Sequence, residues 1–202
     1  MILIGITGIV GSGKTTVSNM LRKKGIDVID LDRLAKEVAE QKDVKKDIER
    51  TLGGYYITED SISVNRIREL VFKDKDKLKE LEEIIHPKVR EQMYDTIKNL
   101  EGKGTKIAVI DAPLLFEKGL NKELNKVIVV STSAEKTKER LKIRGMDEDD
   151  IKKRTAIQIP LKEKEAMADL VIHNNGTIEE LKIEVNGLLN RIEAWEEELY
   201  AS

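Results

Sequence analysis

Eight residues near the start of the chain, Gly8-Ile9-Val10-Gly11-Ser12-Gly13-Lys14-Thr15, place three glycines, a lysine and a hydroxyl at the spacing G-x-x-x-x-G-K-[ST]. Without a Cβ, glycines let successive backbone N–H groups turn inward around an anion. A helix starting just after the loop adds partial positive charge at the same spot. The lysine then reaches the β- and γ-phosphates, and the threonine hydroxyl can ligate Mg²⁺. The stretch reads as a cradle for a nucleoside triphosphate, with Gly8, Gly11, Ser12, Gly13, Lys14, Thr15 and Thr16 on the phosphates and Thr15 on the metal. It leaves open what is done with the bound nucleotide.

Further groups with the chemistry to act on that nucleotide are spread along the chain. Asp30 and Asp32 close a second apolar run, Ile26 to Leu31. Ligands in open α/β sheets sit beyond the carboxyl ends of the strands, which makes acids there candidates. Period-two alternation turns both to one side if the strand continues that far; otherwise Asp32 caps a helix starting near Leu34. Asp111 ends the apolar run Ile107 to Ile110, where P-loop proteins carry a magnesium-holding acid. Arg140 and Arg144 share one helical face, as do Arg154 and Gln158 on the next helix. A guanidinium fork suits phosphate oxygens. Two such helices joined at Gly145 suggest a hinged flap. His86-Pro87 marks an expected helix boundary, with the histidine either aimed at a ligand or simply ending that helix in a polar residue. His173-Asn174-Asn175-Gly176 offers amides to a purine edge or merely makes a turn.

The elements that must position these groups follow from periodicity. Ile2, Leu3, Ile4 and Ile6 read as a buried strand, and Val17, Met20 and Leu21 as one face of the helix after the loop, stopped by Gly25. Strand, helix and second strand form a right-handed βαβ unit and so begin a parallel sheet. Runs at 107–110, 127–130 and 170–172 supply three more strands. Residues 34 to 101 read as mostly helical, with Ile67, Leu70 and Val71 on one face and a loop from Gly53-Gly54 to Ser63. That block exceeds an ordinary crossover and suggests an inserted lobe. Ile178, Leu181, Val185, Leu188 and Ile192 stripe a final helix, opened by a Thr177–Glu180 capping box.

Composition narrows the class. A chain of 202 residues suits one domain with a small lobe. Aromatics are 3%, so the core rests on Ile, Leu and Val. Charged residues reach 37%, but 36 basic against 38 acidic side chains leave a net of −2, which points to neither nucleic acid nor an anionic membrane as partner. The charge density hints at a hot-growing source. With no cysteine there is no thiolate chemistry, and a cytoplasmic monomer without a membrane span or signal peptide is the expectation.

Taken together, these motifs resemble one family, the dephospho-CoA kinases, over nearly the whole chain. Its opening matches Gly5-Ile6-Thr7-Gly8 and Gly11 to Thr15. Its Asp-x-Asp matches Asp30-Leu31-Asp32, and its His-Pro segment matches Leu81 through His86-Pro87. Asp111 to Glu117, Arg140-Leu141 with Arg144, Arg154 with Gln158, and Ala168 to Gly176 match the rest in order and spacing. Ile9 departs from the family, which usually has a second glycine there; Asp147 to Asp150 make a more acidic flap turn. The resemblance implies an α/β P-loop kinase: a five-stranded parallel sheet flanked by helices, a helical substrate-binding insert at 34–101 and a helical lid at 138–160. It implies transfer of the ATP γ-phosphate to the ribose 3′-hydroxyl of dephospho-CoA, with Mg²⁺ as cofactor. On this reading Asp32, Lys14 and Arg140 are catalytic, Thr15 and Asp111 hold the metal, and Arg144, Asn174 and Gly176 join the loop on ATP. Asp32, His86, Pro87, Leu114, Leu115, Glu117, Arg154 and Gln158 face the acceptor. A nucleoside-monophosphate kinase shares the loop and flap but not the His-Pro insert or the Pro-Leu-Leu segment. A guanine-nucleotide switch needs Asn-Lys-x-Asp; Asn121-Lys122-Glu123-Leu124 and Asn125-Lys126-Val127-Ile128 both lack its final acid.

Overall fold

Near-continuous Ile/Val runs suit strands covered on both faces, as in a parallel sheet, and five such runs pair in the computed structural model, which describes residues 1–58, 61–63, 66, 67, 69 and 74–201. The strands are β1 (Ile2–Thr7), β2 (Asp27–Asp30), β5 (Ile107–Asp111), β6 (Lys126–Ser131) and β7 (Leu170–His173), in the order β2-β5-β1-β6-β7. β1 is central. It runs parallel to β5 with Ile6 beside Asp111, and to β6 with Thr7 beside Val129. Ile2, Ile4 and Ile6 are buried with Val109, Ile128, Val130 and Ile172. Each such side chain contributes about 1.5–3 kcal/mol on leaving water.

Helix α1 (Lys14–Lys23) packs Val17 and Leu21 into this core. The final helix, α8 (Ile178–Ala201), adds Leu181, Val185, Leu188, Ile192 and Trp195. Ile178, expected on that stripe, is instead exposed in the first turn. The capping box is present: Thr177 Oγ1 accepts from Glu180 N at 3.2 Å, and Glu180 Oε2 accepts from Thr177 N at 2.6 Å.

The chain divides into two compact units, Met1–Ile29 with Leu100–Ser202, and Asp30–Asn99. The second unit contains α2 (Leu31–Ala39), α3 (Lys42–Leu52), a two-stranded hairpin of β3 (Ile57–Thr58) and β4 (Ser61–Ile62), and most of α4 (Lys75–Gly102). Val38, Val44, Ile48, Ile62 and Leu81 form its core. The segment expected to be a plain loop up to Ser63 therefore contains a short hairpin, with Ile62 buried. Leu70 and Val71, placed by periodicity on a face with Ile67, lie outside the described residues.

Two other expectations are corrected. No boundary falls at His86-Pro87: α4 runs through Pro87 unbroken for 28 residues. An internal proline costs roughly 3 kcal/mol and leaves the carbonyl four residues earlier, on Glu83, without its helical partner. Buried Leu81 before the proline and Met93 and Ile97 after it lie on the same helix, and packing on both sides of the break outweighs that cost. The second strand also stops earlier than alternation required. α2 begins at Leu31, and Asp30 is its cap, its Oδ1 accepting from Arg33 N at 3.0 Å. Asp32 therefore sits in the first helical turn rather than on a strand face. Among the described residues no helix is long and apolar enough to cross a membrane.

Candidate active site

The carboxyl ends of β1, β5, β6 and β7 lead into the segments that carry the candidate groups. β1 ends at Thr7 and the chain enters the glycine loop, whose Ser12 N donates to Ile9 O at 3.1 Å before α1 starts at Lys14. Gly13 caps that helix with φ 93°, a left-handed conformation natural to glycine. A Cβ there would also lie 2.0 Å from Asn174 Nδ2. Both facts require glycine.

The loop is braced from outside. Asn174, 5% exposed, follows β7; its Nδ2 donates to Ser12 O at 2.7 Å. Arg140 lies on α5 (Ala134–Ile143), a helix capped by Ser133, whose Oγ accepts from Lys136 N. Its guanidinium donates to Ser12 O at 3.3 Å, Thr132 Oγ1 at 3.3 Å, Asn174 O at 2.9 Å and Asn174 Oδ1 at 3.1 Å. Beyond Gly145, α6 (Glu148–Ala156) is capped by Asp147, and Gln158 Oε1 past its end accepts from Val10 N at 3.1 Å. Arg140, Asn174 and Gln158 thus converge on one loop from positions up to 162 residues away.

Below the loop, Lys14 and Asp111 form an ion pair, and Ser18 Oγ donates to the other Asp111 oxygen at 2.6 Å. Asp111 is 1% exposed. An ammonium and a hydroxyl thus meet the two oxygens of this buried carboxylate, which is what its removal from water requires. Thr15 follows Lys14 in the first turn of α1 and is exposed. One hydroxyl and one carboxylate are hard oxygen donors, and Mg²⁺ is ordinarily held by one or two carboxylates plus substrate phosphates and water. No cluster of three or more acidic, histidine or cysteine ligands occurs among the described residues.

After Asp111 the chain makes a turn whose second half was unexpected. Pro113 O accepts from Thr7 Oγ1 at 3.2 Å and from Lys164 Nζ at 2.9 Å. Lys164, on α7 (Leu161–Ala166), is 0% exposed and also pairs with Glu117 Oε1 at 2.7 Å. The same Glu117 oxygen accepts from Ile159 N at 2.8 Å. Burial holds the Lys164 ammonium below its usual alkaline pKa, and Glu117 opposes that shift. Leu115, expected on the acceptor side, is fully buried, its Cδ1 2.5 Å from where a Cβ on Gly5 would stand; it is packing. Leu114 is half-buried, and Arg144, Arg154 and Gly176 are exposed.

Asp32, His86 and Pro87 belong to the helical unit. Asp32 lies in the first turn of α2, where the helix dipole favours its charge. His86 is half-exposed, its Nε2 4.0 Å from Glu82 Oε1 one turn earlier.

Sequence reasoning missed Ser18 and Lys164. Ser18 lies one helical turn after Lys14, which was a usable signal. Lys164 is one lysine in a chain rich in them and carried none.

Comparison with known proteins adds the following. The dephospho-CoA kinase family model matches residues 2–180. The dephospho-CoA kinase of Bdellovibrio bacteriovorus is 39% identical over 198 residues, 97% of this chain and 96% of that protein. The dephospho-CoA kinase of Geobacillus kaustophilus is 39% identical over 196 residues, 96% and 98% respectively. A crystal structure from Thermus thermophilus superposes with TM-score 0.82 at 32% identity, covering 94% of this chain and 97% of that one. Shikimate kinase from Bacteroides thetaiotaomicron, at TM-score 0.51 and 16% identity over 95% and 98%, shares the fold.

Proposed function

This chain belongs to the dephospho-CoA kinase family, and from that premise we propose how its residues divide the work. The enzyme is an ATP-dependent phosphotransferase that converts dephospho-CoA to coenzyme A by phosphorylating the ribose 3′-hydroxyl. Such transfer is catalysed chiefly by positioning and charge neutralisation. The Gly8–Thr16 loop and Lys14 hold the triphosphate. Arg140 and Asn174 keep the loop in shape, while Arg144 and Arg154 on the lid meet the transferring phosphoryl group and Gly176 lies towards the base. Asp32 orients the acceptor hydroxyl and takes its proton. His86, Pro87, Leu114, Glu117 and Gln158 serve the acceptor side, the last two by shaping it rather than by facing ligand. Mg²⁺ arriving with ATP would be held by the Thr15 hydroxyl and, through water, by Asp111, and would supply neutralisation of charge on the phosphates.

The observation that supports this division is the Lys14–Asp111–Ser18 cluster set directly beneath a loop braced from three sides. A coupled ADP-release assay with dephospho-CoA beside a panel of nucleoside monophosphates tests it. Turnover with dephospho-CoA alone is the expected result. Comparable turnover with a nucleoside monophosphate would replace the acceptor assignment.

A further inference from the structure

Lys164 is the largest of the fully buried side chains, yet it is ionisable. Burying an ammonium costs several kcal/mol unless good geometry offsets it, and an apolar residue of similar size commonly serves stability as well or better. Its position therefore asks for a purpose beyond packing. The ammonium spans one short segment. It bonds the carbonyl of Pro113 at the start and the carboxylate of Glu117 at the end. Residues just past that span close back on it, Lys118 N on Leu114 O at 3.0 Å and Leu120 N on Leu115 O at 3.0 Å, so the chain is wound into a tight turn.

We propose that Lys164 is a positioning residue for phosphoryl transfer, its buried ammonium stapling the Pro113–Glu117 turn so that Asp111, the lid exit and the glycine loop keep one fixed geometry. Three connections carry this. Pro113 follows Asp111 by two residues and shares its carbonyl with Thr7, the residue that leads into the loop. Glu117 Oε1, held by Lys164, receives Ile159 N, and the neighbouring Gln158 receives Val10 N of the loop. Glu117 Oε2 is buried without a hydrogen-bond partner among the described residues, so removing the ammonium leaves a nearly uncompensated carboxylate that must move or take up a proton. The ammonium also feels the charge of Lys14, which adds to the lowering of its pKa and places it within electrostatic reach of the phosphate cradle. Lys164 acts through Asp111 and the lid, and touches no substrate. The inference rests on the kinase reading above.

The test uses the full-length enzyme, ATP and dephospho-CoA. Displacing a reacting geometry by about 1 Å is worth roughly a hundredfold in rate, so Lys164→Met should lose about that much kcat while KM for ATP changes less than about threefold. Rates are taken at a temperature where circular dichroism shows each protein folded. Should the single variant not fold, Lys164→Met/Glu117→Gln removes both charges together and carries the same expectation. The chain has no cysteine, so Lys164→Cys offers one thiol. Aminoethylation of that thiol in the unfolded chain, followed by refolding, rebuilds a lysine-like ammonium; S-propylation rebuilds only the bulk. Recovery of kcat on aminoethylation and not on propylation is the expected outcome. A folded Lys164 variant with kcat within about threefold of wild type, or equal recovery with both reagents, overturns the proposal. Wild-type turnover in the same assay stands apart as the check on the kinase reading.

Discussion

Replacing Gly13 by alanine tests the braced loop most directly. The residue has φ 93°, and alanine in a left-handed conformation costs roughly 1 kcal/mol. The new methyl would stand 2.0 Å from Asn174 Nδ2 and 3.3 Å from its Cγ. Backbone on both sides is held, so Asn174 must yield. Its departure ends the bond to Ser12 O at 2.7 Å and the bond from Arg140 to its Oδ1 at 3.1 Å, each worth about 1 kcal/mol. The sum is about 3 kcal/mol, or a fall in Tm of roughly 6–12 °C for a chain of this size. ATP binding, read by isothermal titration, weakens with it because the Ser12 peptide no longer has a fixed direction. The clash itself is diagnosed by a double-mutant cycle. Asn174→Ala removes the obstructing amide, so Gly13→Ala should cost less in that background, with a coupling of about 1–2 kcal/mol. If the two changes add to within about 0.5 kcal/mol, or if Gly13→Ala melts with the wild type, Asn174 is not what makes glycine necessary there.

Other outcomes follow from the same geometry. Asp32→Asn should lower kcat by about 10²–10⁴-fold with ATP affinity intact; near-normal turnover removes Asp32 as the base. Asp111→Asn should raise the Mg²⁺ needed for half-maximal rate by at least roughly tenfold, measured by metal titration at saturating ATP. Pro87→Ala restores a donor for Glu83 O inside a continuous helix and should raise stability by about 1–3 kcal/mol; an unchanged melt would mean that the proline is already accommodated. Lys164 sets a pH dependence. Its folded pKa lies below 10.5, so between the two values the unfolded chain binds more protons and this group's contribution to stability rises with pH. From neutrality towards pH 10 the melting temperature of wild type should therefore gain on that of Lys164→Met/Glu117→Gln, and a constant difference refutes the sign.

Local pattern carried much of the architecture. The Ile/Val runs announced the parallel strands because a sheet covered on both faces has little room for alternation, and the glycine loop announced itself because its chemistry needs fixed spacing. The misreadings came where a local rule met a competitor. Proline ends a helix by default, but Leu81, Met93 and Ile97 pack on both sides of Pro87 and the helix continues. Asp30 and Asp32 both had capping chemistry, and the choice fell on Asp30 because the strand ended two residues sooner than alternation assumed. Lys164 was opaque for a different reason. A buried lysine and a surface lysine look alike in a chain with 36 basic residues. What distinguishes Lys164 is the convergence of Pro113 and Glu117 upon it, and that exists only in three dimensions.

The shape of the nucleotide cradle is written in the first fifteen residues but enforced by segments that the ribosome makes much later. Until Asn174 has left the exit tunnel and taken its place beside β6, Ser12 O has no amide to hold it and Arg140 lacks the two acceptors that Asn174 supplies. A nascent chain of this sequence should therefore carry its phosphate motif through most of synthesis in a slack form, and gain its grip on ATP in one late step, when the seventh strand docks.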